Sequence, residues 1–358
     1  MRPNDARAAL LRALTSLGEF APEALSARVS ELRRRLRQDR FRVLVVGEAK
    51  RGKSTFVNAL LRRDVLPTGV TPLTAIATTV SYGAHEEVRV EFADGRSECR
   101  PLEALPELVT ERGNPGNRLG LRRVEVRLRA PLLAEGVELV DTPGTGSVNE
   151  HNTSEAESAL EQMDAAVFVL SSDPPISASE RDLLRRVAEA SVATFVVVNK
   201  ADRLNAEEQR EAGEFTARVV RAATGRAVAV HLCTARGVAV LRGMPTDRGF
   251  VAFEREFTEY LSENRSTALL TSIRNQADEL AALMLDEVRT ARRADQLRSG
   301  DAEAQVERFR AKLDALADLR RDAADRLHAE SKRLLRELNT DAERAGAGVT
   351  ARALSEVR

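Results

Sequence analysis

The stretch FRVLVVGEAKRGKSTFVNALL, residues 41–61, constrains this chain more than any other. FRVLVV is a nearly continuous apolar run, as expected of a strand covered on both faces, and FVNALL opens a helix. Between them Gly47, Gly52, Lys53 and Ser54 satisfy G-x-x-x-x-G-K-[ST], in the strand–loop–helix setting that gives the pattern its meaning. Glycine lets the backbone curl so that successive N–H groups point inward, and the N-terminus of the following helix adds partial positive charge. The spacing predicts a phosphate cradle over Gly47, Glu48, Ala49, Lys50, Arg51, Gly52, Lys53, Ser54 and Thr55. Lys53 reaches the β- and γ-phosphates, and the Ser54 hydroxyl takes Mg²⁺.

Lysine usage points the same way. Of the 55 basic residues only five are lysines: Lys50, Lys53, Lys200, Lys312 and Lys332. Three of these fall in candidate nucleotide-site positions. In a chain that otherwise uses arginine, a lysine suggests a place where a compact point charge does what a planar fork cannot.

A P-loop leaves the base undecided, and VVVNKAD, residues 196–202, decides it. In N-K-x-D the Asp202 carboxylate can accept hydrogen bonds from guanine N1–H and from the exocyclic amine, an arrangement adenine lacks. Mispaired polar groups in a buried base site are costly, so one carboxylate can set base choice. Asn199 is expected to brace the loop, and the Lys200 stem to lie along the base. Between the two motifs LVDTPGTGS follows an apolar run. Asp141 is placed to hold the Mg²⁺ hydration shell, and the Gly144 N–H to meet the γ-phosphate and register its loss. HLCTARG follows another strand, and its Ala235 N–H is expected to contact the guanine oxygen. The substrate expected is GTP, with GDP as product and Mg²⁺ as cofactor.

Taken together, GEAKRGKSTFVNALL, LPTGVTPLTAI, LVDTPGTGS, DAAVFVLSSDPPISASE and NKAD resemble the dynamin superfamily of large GTPases, most closely bacterial dynamin-like proteins. The resemblance covers roughly residues 40–240. It implies an enlarged GTPase domain, a helical neck bundle, self-association as a homodimer or with a paralogue, and GTP hydrolysis coupled to membrane remodelling. The family's Pro-x-Thr favours Thr74 as the switch residue that meets Mg²⁺ or positions water, with Thr71 second and Thr68 also in the loop. Two positions depart from related patterns. Small GTPases carry a glutamine after D-x-x-G, where this chain has Thr145, too short to orient an attacking water. Eukaryotic dynamins carry Gln and Ser where this chain has Ala49 and Lys50. The Lys50 ammonium is therefore expected to replace a charge-compensating monovalent cation, like an arginine finger in cis. The expected catalytic groups are Lys50, Lys53, Thr74 and Gly144, and the expected metal-site residues Ser54, Thr74 and Asp141.

Elsewhere the chain reads as α/β with a mostly parallel, doubly wound sheet, because short apolar strands alternate with helices from 41 to about 240. Val88, Val90 and Phe92, and Val124, Val126 and Leu128, alternate as strands with one exposed face do. Residues 5–38 read as two helices broken near Pro22, the second carrying Leu25, Val29, Leu32 and Leu36 on one stripe. From about 250 the pattern is helical throughout. Phe253, Phe257, Leu261, Leu269, Ile273, Leu280 and Met284 mark one long helix, Ser299–Asp301 a stop signal, and Phe309, Leu313, Leu316, Ala323 and Leu327 a second helix. The organisation expected is neck helices at 1–39, a GTPase domain at 40–245, and further neck helices at 246–358, which end inside a helical pattern as a shortened form would.

Few aromatics predict an aliphatic core. A net charge of zero gives no footprint for nucleic acid, which disfavours a ribosome-assembly GTPase. Cys99 and Cys233 fit no disulfide or metal pattern, and His85, His151, His231 and His328 lack ligand spacing. Without a signal peptide or a spanning apolar run, a cytoplasmic protein with peripheral membrane contact is expected. The alternative is a slow nucleotide-gated switch that binds a partner through its helices.

Overall fold

The structure, a computed structural model, describes residues 3–69, 76–143, 159–172, 176–236, 238 and 247–298, with side chains described between residues 5 and 290. The chain divides into two compact units, Met1–Met284 and Leu285–Arg358, and all that follows concerns the first.

The core is a nine-stranded sheet: β1 (Phe41–Val46), β2 (Thr78–Tyr82), β3 (Glu87–Phe92), β4 (Ser97–Arg100), β5 (Leu121–Leu128), β6 (Val137–Asp141), β7 (Ala165–Ser171), β8 (Ala193–Asn199) and β9 (Val230–Leu232). Their order is β4-β3-β5-β2-β6-β1-β7-β8-β9. The run from β6 through β1, β7 and β8 to β9 is parallel, and β2 pairs antiparallel to β6, which brings in the antiparallel β5-β3-β4 extension. Every residue of β1, β6 and β7 is buried, as their continuous apolar sequences require. Consistent with the alternation, Val88, Val90, Val124, Val126 and Leu128 are buried. The opposite face of β5 departs from the expectation of exposure. Glu125 is buried there, accepting from Ser81 Oγ and pairing with Arg40, and Arg123 is half-buried.

The helices are α1 (Pro3–Phe20), α2 (Glu23–Arg37), α3 (Lys53–Leu61), α4 (Leu105–Val109), α5 (Ala178–Ala190), α6 (Ala206–Thr224) and α7, described from Arg248 to Arg298. The break between α1 and α2 falls at Ala21 and Pro22, where proline fixes φ and disfavours helix at the residue before it. Val29, Leu32 and Leu36 of α2 are buried in one cluster with the sheet and with Leu269, Ile273 and Leu280 of α7. The stripe therefore packs on the sheet and on helices at once. The expected helix around Phe309 lies outside the described residues.

The core is mostly aliphatic, but the seat of α7 is aromatic: Phe56 of α3 and Phe195 of β8 meet Phe250, Phe253 and Phe257. Phe56 lies 5.7 Å from Phe250 and 5.1 Å from Phe253, both edge-to-face. Such pairs add to burial because the positive ring edge meets the negative face. Arg62, in the left-handed conformation that ends α3, extends the contact with two hydrogen bonds to Glu254, at 2.8 and 2.6 Å. The helix that carries Lys53 and Ser54 is thus packed directly on the long C-terminal helix.

Candidate functional site

The loops after β1, β6, β8 and β9 converge at the carboxyl edge of the sheet, where open parallel sheets hold ligands. Two glycines set the cradle. At Gly47 a Cβ would lie 2.3 Å from the Val169 carbonyl oxygen of β7. At Gly52, with φ of +94°, it would lie 2.4 Å from Asn199 Nδ2. Gly52 is therefore small so that Asn199 can dock. Asn199 Nδ2 donates to the Arg51 carbonyl (3.1 Å), while its Oδ1 accepts from Ala235 N (3.1 Å). One buried amide thus joins the P-loop, the N-K-x-D loop and the loop after β9. Lys200 reinforces the joint, its Nζ donating to the Lys50 carbonyl at 2.6 Å.

The metal-site residues are brought together in part. Ser54 Oγ donates to Asp141 Oδ2 at 2.6 Å, and Lys53 Nζ donates to the Glu48 carbonyl at 3.2 Å. Lys53 and Asp141 are both buried. Burial pushes the Asp141 carboxyl up to about 6 against the opposing pull of Lys53 and Ser54. Burial likewise pushes the Lys53 ammonium down to about 8 against Asp141 and Glu48. Asp141 Oδ1 is buried with no hydrogen-bond partner. A hydroxyl, an orphaned carboxylate oxygen and a lysine form a donor set that fits Mg²⁺ with a nucleotide phosphate, since Mg²⁺ keeps several waters and asks for few protein ligands. Among the described residues no cluster of three or more His, Cys, Asp or Glu suggests an all-protein metal cage.

Other expected residues fall differently. Lys50 sits at the tip of the P-loop with φ of 65°, exposed, and Asp202 is exposed beside it in the N-K-x-D loop. Thr55 and Ala49 are half-buried. The Ala235 N–H, expected to contact guanine, lies at this joint. That N–H is given to Asn199, because the amide needs an acceptor and a donor on opposite sides to tie the two loops. Thr71, Thr74, Gly144 and Thr145 lie outside the described residues.

The side chains of Glu48 and Arg51 turn away from the phosphate cradle. Arg51 makes a bidentate pair with fully buried Glu180, Nε to Oε1 at 2.6 Å and NH2 to Oε2 at 2.8 Å. Glu180 also accepts from the Ser177 backbone N, closing the capping box that starts α5. Glu48 Oε1 accepts from Ser177 Oγ (3.1 Å) and Ser179 Oγ (2.5 Å). The P-loop is thereby fastened to the N-terminus of α5. Sequence reasoning missed Ser177 and Glu180, although S-x-x-E before the apolar pattern of α5 signals a capping box. It also missed Thr142, whose hydroxyl donates to the Val45 carbonyl at 3.0 Å, and Asn58. Asn58 accepts from Val65 N and Leu66 N and donates to the Leu66 carbonyl, shaping the chain that leads toward the switch loop.

Residues 43–201 match the profile of the Dynamin family. Over this region, a little under half of its length, the chain is similar to the dynamin family. A second profile, the elongation factor Tu GTP binding domain, matches residues 131–291, a span that contains the Asp141 and Asn199 loops. The dynamin-like region is 37% identical over 203 residues to an uncharacterised protein in the xynA 3′ region of Caldicellulosiruptor, covering 57% of this chain and 50% of that one. It is 30% identical over 204 residues to the bacterial dynamin-like protein of Nostoc punctiforme, covering 53% of this chain and 29% of that one. The matches therefore span half or less of these curated relatives. Among solved structures, one of an oligomerised bacterial dynamin pair, described as a mechanism for long-range sensing and tethering of membranes, shares the fold. Its TM-score is 0.54 at 17% identity, over 90% of this chain and 53% of that one. Among the described residues no helix is long and apolar enough to cross a membrane.

Proposed function

We propose that this chain binds GTP with Mg²⁺ and hydrolyses it to GDP and phosphate. The observation that carries the reading is the single amide of Asn199 linking the P-loop, the N-K-x-D loop and the loop after β9 into one pocket edge. Lys53 neutralises charge on the β- and γ-phosphates, and the backbone of residues 47–54 donates to them. Ser54 and Asp141 hold Mg²⁺, which supplies charge stabilisation as the γ-phosphoryl leaves. Asp202, whose carboxylate is exposed at the pocket, accepts from the guanine edge. Lys50 stands exposed at the loop tip, within reach of an added phosphate chain, and serves as the cis cation in place of a bound monovalent ion. Thr74 and Gly144 are assigned the switch roles that their motifs give them.

We further propose that residues 40–245 act as the GTPase domain and that residues 1–39 and 246–358 supply neck helices. In this reading the GTPase domain pairs, with itself or with a paralogue, and acts peripherally at a membrane, which the oligomerised bacterial dynamin pair named above supports. The test is GTP turnover per molecule measured against protein concentration, with ATP as control. Turnover that rises with concentration and is absent with ATP or in Lys53→Ala supports a site completed by dimerisation. Tight GTP binding with a flat, slow rate would replace this reading with a monomeric switch.

A further inference from the structure

A polar cavity of about 640 Å³ is lined by α2, by Arg42 of β1, by the neighbouring strands, and by Gln276 and Leu280 of α7. Six arginines line it: Arg28, Arg34, Arg35, Arg42, Arg122 and Arg123. Only three carboxylates line it with them, Glu31, Glu91 and Glu161. Most of the cations are paired. Arg28 meets Glu161 at 3.3 Å, and Arg34 grips Glu31 through Nε and NH2 at 2.9 and 2.7 Å. Arg42 bridges Glu31 and Glu138, and fully buried Arg35 is paired with Asp164.

Arg122, which is exposed, and Arg123 have no such partner among the described residues, and Arg123 stands on β5 opposite Glu91 of β3. Its NH2 is buried without a hydrogen-bond partner, and so is the Nε of Arg35 on the facing helix. Burial and the neighbouring Arg42 and Arg34 push the Arg123 guanidinium below its usual range, with Glu31 and Glu138 pulling the other way. A buried donor without a partner costs more than a typical hydrogen bond returns, and an unpaired buried cation costs more still. Guanidinium groups converging from α2, β1 and β5 match a tetrahedral anion, whose oxygens accept from several forks at once, better than a carboxylate.

We propose that this cavity is a second anion site, which binds a phosphoryl group at Arg123 and the arginines around it. The ligand is a phosphomonoester or diphosphate, free or on a lipid headgroup. Its occupation ties α2 to the β5 edge of the sheet. None of its lining residues belongs to the P-loop, although the cavity extends to Val140, the neighbour of Asp141.

The test uses the full chain saturated with Mg²⁺–GDP, so that the P-loop is filled. Pyrophosphate and inorganic phosphate are titrated at constant ionic strength, with chloride as reference, and thermal unfolding is followed. A saturable rise in unfolding temperature is expected, with the apparent dissociation constant weakened about tenfold or more in Arg123→Gln. In parallel, flotation with phosphatidylglycerol vesicles, against phosphatidylcholine, assigns the source of the phosphoryl group. Loss of flotation in Arg123→Gln marks a lipid headgroup, and a pyrophosphate shift with unchanged flotation marks a soluble ligand. If Arg123→Gln does not fold, phenylglyoxal labelling of Arg123 in the wild-type chain is read by peptide mass instead, and pyrophosphate should slow it several-fold. No saturable shift with either phosphate and no vesicle binding, equal shifts in wild type and variant, or labelling indifferent to pyrophosphate would each overturn the proposal and leave water as the partner of these guanidinium groups.

Discussion

Removing Glu180 tests whether the P-loop is held by its scaffold or holds itself. In Glu180→Ala the Arg51 guanidinium, 6% exposed, loses both of its short hydrogen bonds. Breaking one side of a buried pair costs about 3–5 kcal/mol, and the lost capping box on α5 adds about 1 kcal/mol. Glu48 offsets part of this, because its carboxylate stays 3.5 Å from Arg51 NH2 and is better solvated. The net loss expected is about 3 kcal/mol. It is read as a fall in the urea midpoint at unchanged slope, together with at least a tenfold loss of GDP affinity as the loop frays. The double variant Arg51→Met/Glu180→Leu should recover more than half of the stability, since an apolar pair of similar volume removes the unpaired charge. It should recover less of the affinity, because the backbone of Arg51 would no longer be positioned by a fork. A stability loss under about 1 kcal/mol with unchanged GDP affinity would refute the reasoning and assign the P-loop geometry to its backbone alone.

Asp141, with a folded pKa of about 6 against a reference of 3.8, binds an extra proton in the folded state between those values. Stability of the nucleotide-free protein should therefore fall as pH rises from about 4 to about 6, by about 2–3 kcal/mol. Mg²⁺–GDP affinity should weaken below pH 6, and both effects should vanish in Asp141→Asn, as urea midpoints and nucleotide titrations across pH would show. Lys53 has the opposite sign: its folded pKa of about 8 against 10.5 makes stability rise with pH between those values, an effect absent in Lys53→Met. Gly52→Ala places a Cβ 2.4 Å from Asn199 Nδ2 at φ of +94°, so GDP binding should drop at least tenfold, measured by fluorescent-nucleotide titration, while Gly225→Ala, with open space around it, should bind normally. Phe253→Ala empties the centre of the aromatic seat of α7 and should cost about 3–5 kcal/mol in urea unfolding.

The parts of this fold that can be read from sequence are those where one physical requirement dominates locally. β1, β6 and β7 are buried on both faces, so their runs are mostly apolar, broken only where a charge such as Arg42 or Glu138 finds a partner, and such runs are visible without knowing the partner strands. Gly47 and Gly52 are legible because each admits a close approach that any Cβ blocks. What escapes is built from pairs distant in the chain. Nothing local to Arg51 reveals that its partner is Glu180, and nothing local to Arg35 reveals Asp164. The same holds for Phe56 and Phe253, ordinary in their own helices and meaningful only once stacked together. Nor does anything local to Ala235 reveal that its N–H meets the amide of Asn199, 36 residues away.

The two ends of β1 illustrate how differently charge is used within one strand. At its carboxyl end the P-loop keeps a buried cation, Lys53, next to an acid whose second oxygen is orphaned, an arrangement that becomes favourable only when phosphate and metal arrive. At its amino end Arg40 and Arg42 join Glu31, Glu125 and Glu138 in a network that is nearly closed within the protein. Glu31 is held well below the usual carboxylate range there: burial acts to raise it, and Arg34 and Arg42 outweigh that burial. A closed network of this kind adds little net stability over apolar packing, but it penalises any displacement that separates its members. Since Glu31 belongs to α2 and Glu138 to β6, rotating α2 on the sheet would strand several charges at once. The attachment of the N-terminal helices is therefore stiff where Arg42 bridges these two acids and less committed at Arg123, where the network is left open.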